Sequence, residues 1–286
     1  MNMQQEQAKA AAIEQWSADP CGSGHVEGRL GEAGYFRSLL KMREEYAPWM
    51  TEELDYAGSH GKRVLDVGNG QGIDLARYAK AGADAVGIDL TPRHVELANV
   101  HLEALALPGR SLHGDGEHLP FEDHSFDRVS SNGVLHHTPH MDLALREIAR
   151  VLKPRGRATI IVYNRDSLHY WVHQFLTRGV LMGGLLRERT MAQVLSSGVE
   201  YSSIGARPLV RVYRRGQLAR MLRDSGLEQV EVRVRHFRVS DTVPSRILAP
   251  ALPALRNPDR LDRIGRVAGW YLVGVGYGAD ERAPHG

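Results

Sequence analysis

The chain has 286 residues, and its 36 Lys and Arg against 34 Asp and Glu leave a formal charge of +2. So even a balance gives no basic footprint for nucleic acid, and the length favours one decorated domain. The single cysteine, Cys21, excludes an intrachain disulfide or a cysteine-rich metal site and fits a reducing cytoplasm, while no apolar run is long enough to span a bilayer and the polar start lacks a signal peptide's apolar centre.

In chain order, residues 4–16 read as a helix. After a loop with three glycines, 31–50 carries Tyr35, Leu39, Met42 and Tyr46 at helical spacing. The stretch 64–89, VLDVGNGQGIDLARYAKAGADAVGID, reads as strand, glycine-rich turn, helix and strand. Val64, Leu65 and Val67 suit a strand buried on both faces, Gly68, Gly70 and Gly72 follow at alternate positions, and the second strand ends in Asp89. A carboxylate at that tip is placed to accept both hydroxyls of a ribose, so the unit is expected to bind a nucleoside cofactor over the carboxyl ends of parallel strands. A dinucleotide fingerprint wants glycine at the sixth position, where Ile73 stands. Asp66, inside the first strand, is expected to repel a pyrophosphate and to favour a ligand bearing an ammonium and a sulfonium.

Thr91 and Pro92 open a helix running to about 106. A third strand, 110–116, delivers Asp115, Gly116 and Glu117, and a fourth, 125–132, delivers Asn132 and then His136 and His137 to the same rim. A periodic helix over 141–152 precedes a fifth strand, 157–163, ending in Tyr163. From 168 to 208 the chain becomes rich in aromatic residues and methionine, with two helical stretches. A helix at 217–225, alternating strands at 229–237 and 269–277 and a polar tail complete it.

The acid-x-Gly-x-Gly-x-Gly turn, together with the block GDGEHLPFEDHSFDRVSSNGVLHHTPHMDLALREIARVLKPRGR, resembles the class I S-adenosylmethionine-dependent methyltransferases of the type 11, ubiquinone-biosynthesis-like subgroup. The resemblance implies an α/β, Rossmann-like sheet of seven strands, mostly parallel with an antiparallel C-terminal edge strand, helices on both faces and a helical lid. It divides the chain into an N-terminal helical cap (1–60), a cofactor-binding core (61–164), a helical insertion acting as substrate lid (165–208), the C-terminal part of the sheet (209–280) and a tail (281–286). The implied cofactor is S-adenosylmethionine, with no metal. Asp66, Gly68, Asn69, Gly70, Gly72, Asp89, Leu90, Thr91, Asp115, Gly116, Glu117 and Asn132 are expected around it, with the backbone of Asn69 mattering more than its side chain.

The implied reaction is methyl transfer to oxygen or nitrogen of a small secondary metabolite. Alternatives are a carbon acceptor on a quinone or isoprenoid-like molecule, a peptide or protein acceptor, and a protein that binds the cofactor without transferring methyl. A hydroxyl or amine acceptor must lose a proton, and histidine titrates nearest to working pH. Candidate bases or orienting groups are therefore His136, His137 and Tyr163, although one histidine could instead hold the loop. Two adjacent histidines without a supporting carboxylate make a poor metal site. Tyr35 and Arg43 from the cap, and His169, Tyr170, Trp171 and Tyr201 from the insertion, are the expected substrate contacts. The chain is expected to be a cytoplasmic monomer or homodimer with a small-molecule acceptor, no nucleic acid and no membrane span.

Overall fold

The computed structural model describes residues 3–200, 202–248 and 257–280; Tyr201 and the tail 281–286 lie outside them. Seven strands form one sheet: β1 (Arg63–Val67), β2 (Asp84–Asp89), β3 (Arg110–His113), β4 (Phe126–Asn132), β5 (Leu152–Tyr163), β6 (Leu227–Arg235) and β7 (Tyr271–Gly278), in the order β3-β2-β1-β4-β5-β7-β6. The first five are parallel, and β7 runs antiparallel to both its neighbours. The expected C-terminal strand is antiparallel but sits inside the sheet, and β6 takes the edge. Gly274 makes this possible, because a Cβ there would stand 2.6 Å from Leu222 of the helix packed above.

The helices are α1 (Met3–Ala18), α2 (Ala33–Tyr46), α3 (Trp49–Leu54), α4 (Ile73–Lys80), α5 (Pro92–Ala104), α6 (Met141–Val151), a π-helix (His169–Leu181), α7 (Gly184–Glu188), α8 (Met191–Ser196), α9 (Arg215–Asp224), α10 (Val243–Leu248) and α11 (Pro258–Ala268). Alternation along the strands sends successive side chains to opposite cores. Ile160 of β5 packs with Leu145, Ile148, Leu218 and Leu222 beneath α6 and α9, whereas Ile161 packs with Leu54, Leu75, Tyr78 and Leu102 beneath α3, α4 and α5. No helix among the described residues is long and apolar enough to cross a membrane.

Two further elements differ from the sequence expectation. The fifth strand starts at Leu152, because Phe126 pairs with Leu152 across an irregularity in register, so Lys153-Pro154 falls within a strand. The insertion holds three helical pieces, and the first is a π-helix. The strand order reverses between β1 and β4, opening a crevice at the carboxyl ends of the strands.

Candidate functional site

A cavity of about 530 Å³ fills that crevice, roofed by α1 and bounded by α2, the loop after β4, the insertion and the start of β7. Its floor is the turn after β1. Gly68 has φ +74°, and a Cβ there would come within 2.3 Å of Val134, so only glycine lets the β4 loop close over the turn. Gly72 behaves differently: its Cβ would meet Ala98 of α5 at 3.1 Å, and it stays off the cavity wall. It seats α4 against α5.

Asp89 is almost fully buried at the tip of β2. It accepts hydrogen bonds from Gly70 N at 2.9 Å and Thr91 N at 2.8 Å, with His94 Nδ1 at 3.3 Å. Burial pushes its carboxyl up, but His94 and the two amides outweigh that and hold it below the usual carboxylate range, so it stays ionised. Asn69 uses its side chain after all, accepting from Ser111 Oγ at 2.9 Å and donating to Gly70 O at 3.0 Å, over a Gly87 that leaves it room.

Asp66 lies below the cavity, 2% exposed, and accepts from Ser130 Oγ at 3.1 Å. Burial, then the neighbouring Asp74, raise its carboxyl well above the normal range. Asp66 therefore sits in the sheet beneath the cavity and off its wall. The charges that do face the cavity here are Asp74 and Arg43, an ion pair at 3.6 Å, with Asn132 Nδ2 donating to Asp74 at 2.8 Å.

Asp115 and Gly116 line the wall beyond β3, with Leu90 and Thr91 beside them. Lys9 of α1 reaches down to Asp115 at 2.5 Å and Glu117 at 2.6 Å. Glu117 itself is buried off the cavity. It accepts from Thr138 Oγ1 and from His140 N at 2.9 Å and so braces the β4 loop.

At the other end, His137 faces the cavity with Nδ1 donating to Leu209 O at 2.6 Å, which leaves Nε2 bare and 3.7 Å from Glu200. Tyr163 donates to the same Glu200 oxygen at 2.6 Å; burial, then Glu200, push its phenol well up, so it remains a donor. His136 is fully buried behind them, against the Tyr163 ring at 4.0 Å between centroids, and neither of its ring nitrogens has a hydrogen-bond partner among the described residues. Burial, then His137, hold its pKa far below normal, so it is neutral, and it lies off the cavity wall that His137 lines.

His136, His137 and Glu200 bring ligand atoms within 4.8 Å of one another, so the supporting carboxylate thought to be missing is there. Tyr163 and Leu209 already engage Glu200 and the outer His137 nitrogen, a hydrogen-bonded arrangement that stands without an ion. His169 also lines this end, its Nδ1 donating to Asp241 O at 2.9 Å; burial pushes its pKa down to about 4 and that of Asp241 up to about 6.

The remaining substrate candidates fall elsewhere. Tyr35 is buried in a small core with Phe36 and Leu39, its hydroxyl donating to Gln71 at 2.8 Å. Tyr170 packs in the core, and Trp171 points to solvent. Sequence reasoning missed Lys9, Trp16, Asp74, Glu200, Asp241, Trp270 and Tyr271, all on or over the cavity. Lys9 and Trp16 share one helical face at a spacing of seven, so that pair was findable, whereas Tyr271 is brought opposite Tyr163 by the β5–β7 register.

A family model described as a methyltransferase domain matches residues 65–160. Over 173 residues the chain is 31% identical to the demethylmenaquinone methyltransferase of Corynebacterium kroppenstedtii, covering 59% of this chain and 69% of that one. The chain belongs to the class I S-adenosylmethionine-dependent methyltransferases, in the type 11 subgroup. This methyltransferase is also 30% identical to the ubiquinone biosynthesis O-methyltransferase of Aeromonas salmonicida, covering 48% of its own length and 57% of the relative's. Against several curated relatives it spans about half of their length. A Haloferax volcanii methyltransferase solved in complex with the Trm112 activator shares the fold, with a TM-score of 0.57, 22% identity and coverage of 85% and 94%.

S-adenosylmethionine is the methyltransferase's cofactor, and members of this family require no metal. The donor set suits that molecule: an ionised carboxylate over a glycine floor, a second at the next strand tip, and an arginine-aspartate pair of the kind that matches an amino-acid zwitterion.

Proposed function

We propose that the methyltransferase acts on a hydroxyl of a small, largely aromatic acceptor and that His137 takes the hydroxyl proton. The observation that carries this is the His137 ring, fixed by Leu209 in the tautomer whose bare Nε2 looks into the cavity beside Glu200. Tyr46, Trp270 and Tyr271 wall the same end and suit a flat ring.

In this reading Asp89 accepts the ribose hydroxyls, Asp115 and the Gly116 amide meet the adenine edge, and Leu90 and Thr91 pack beside it. Gly68, Asn69 and Gly70 form the floor under the methionyl part. Arg43 holds its carboxylate, and Asp74, positioned by Asn132, holds its ammonium. When bound, the cofactor supplies an electrophilic methyl group on a sulfonium. His137 removes the proton from the acceptor hydroxyl as the carbon–oxygen bond forms, Glu200 stabilises the resulting imidazolium, and Tyr163 keeps Glu200 in place. The roof of α1 excludes water.

A second reading is carbon methylation of a quinol, favoured by the demethylmenaquinone methyltransferase among the relatives. It uses the same phenol deprotonation. Incubation with labelled cofactor and a panel of phenols, quinols, amines and carboxylic acids decides the matter by mass spectrometry. Methyl ethers are expected. Ring-methylated quinols would select the second reading, and products from amines or carboxylic acids alone would overturn both.

The Lys9 contact yields a separate expectation. If adenine is to meet Asp115, it must share or displace the ammonium. Lys9→Met is expected to raise the association rate of S-adenosylhomocysteine in stopped-flow fluorescence, most clearly at low salt; an unchanged rate would show that Lys9 does not gate the site.

A further inference from the structure

The π-helix turns His169 into the cavity wall, and its other side carries large apolar groups into water. Trp171, Leu176, Val180, Leu181, Met182 and Leu186 are all exposed, Leu181 by 73% and Leu186 by 89%. With bonds from i to i+5, roughly four to five residues make a turn. Trp171, Leu176 and the Val180–Leu181 pair therefore share one stripe, which Met182 and Leu186 continue beyond the helix end. Water-facing surfaces rarely gather so many large apolar side chains in one short segment without a binding partner.

The charges beside the stripe decide its partner. Glu188 is taken by Arg207 at 2.6 Å, Asp166 faces Arg214 at 3.5 Å, and Arg178 is engaged with backbone carbonyls. Arg187 donates only to Met182 O at 2.8 Å, and neither it nor Arg189 meets a carboxylate among the described residues. The tip is thus apolar with uncompensated positive charge at its edge. A second copy packed across a two-fold axis would set these like-charged edges together. An anionic lipid surface satisfies both features, with leucines entering the acyl boundary and guanidiniums at the headgroups.

We propose that this face of the insertion docks on an anionic bilayer surface. The docking stands whatever atom is methylated. It would also bring the His169 wall of the cavity close to the lipid and give a bilayer-dissolved acceptor a short path in, a consequence that rests on the proposed function.

The full chain should be sedimented with vesicles of phosphatidylcholine alone and of phosphatidylcholine with phosphatidylglycerol. It is expected to pellet with the mixed vesicles and about tenfold less with the neutral ones. Leu181→Asp with Leu186→Asp should abolish pelleting. Arg187→Gln and Arg189→Gln should each weaken the anionic preference about fivefold. Unchanged S-adenosylhomocysteine affinity would show that the variants fold, since none of these residues lines the cavity. Wild-type protein that stays in the supernatant with both vesicles overturns the proposal. So does a dimer in light scattering that the double aspartate variant splits. Pelleting needs no turnover, so it fails or succeeds independently of the proposed methylation.

Discussion

His137→Ala is expected to lower turnover about 10²- to 10⁴-fold, the range for a positioned general base, while S-adenosylhomocysteine binds as before. The loss should shrink as pH approaches the acceptor's own pKa, because the hydroxyl then ionises without help. His136→Leu is the contrast. Its ring is buried with both nitrogens unpartnered, so the substitution removes an uncompensated polar group and should leave turnover within a few-fold of normal. It should also change the response of stability to acid. The folded pKa of His136 lies below its unfolded value, so below about pH 6.5 the unfolded chain takes a proton that the native state refuses, and stability drains away as pH falls. The leucine variant lacks that loss, and its advantage in melting temperature should widen from pH 7.5 to pH 5. Equal turnover of the His136 and His137 variants would remove the base assignment.

Asp89→Ala should weaken S-adenosylhomocysteine binding at least about a hundredfold in calorimetry. Two hydrogen bonds to a charged acceptor are worth about 1.5–3 kcal/mol each, so losing a ribose clamp accounts for that much alone. The carboxylate also holds Gly70 and Thr91 by their amides, so alanine loosens the floor as well. Asp89→Asn keeps the shape with one acceptor oxygen and should fall between the two. Affinity unchanged in Asp89→Ala would sink the placement of the cofactor along this rim.

The half of the site that was legible in sequence is the half made by local geometry. Strands buried on both faces read as apolar runs, and a glycine turn, Asp89 and Asp115 each follow directly from a strand end. The acceptor half has no such pattern. Glu200 reaches Tyr163 from 37 residues away, and only the folded chain brings them together. Charge was also misjudged where burial decided it. Asp66 looks like an exposed anion in a motif, yet it is buried in the sheet, where burial and Asp74 push its carboxyl well above the usual range. Gly72 also packs against Ala98 and Glu117 also braces the loop after β4, contacts that no motif position announces. Trp270 and Tyr271 read as ordinary core until β7 is seen to start beside the rim.

One indole joins the two ends of the cavity. Trp16 stacks on His94, the neighbour of Asp89, at 6.3 Å and meets His137 edge-on at 5.6 Å. Any tilt of that ring forced by one ligand is felt by the other, and such coupling is reciprocal by thermodynamic necessity. Occupancy of the nucleoside end should therefore alter acceptor affinity by the same factor as the reverse.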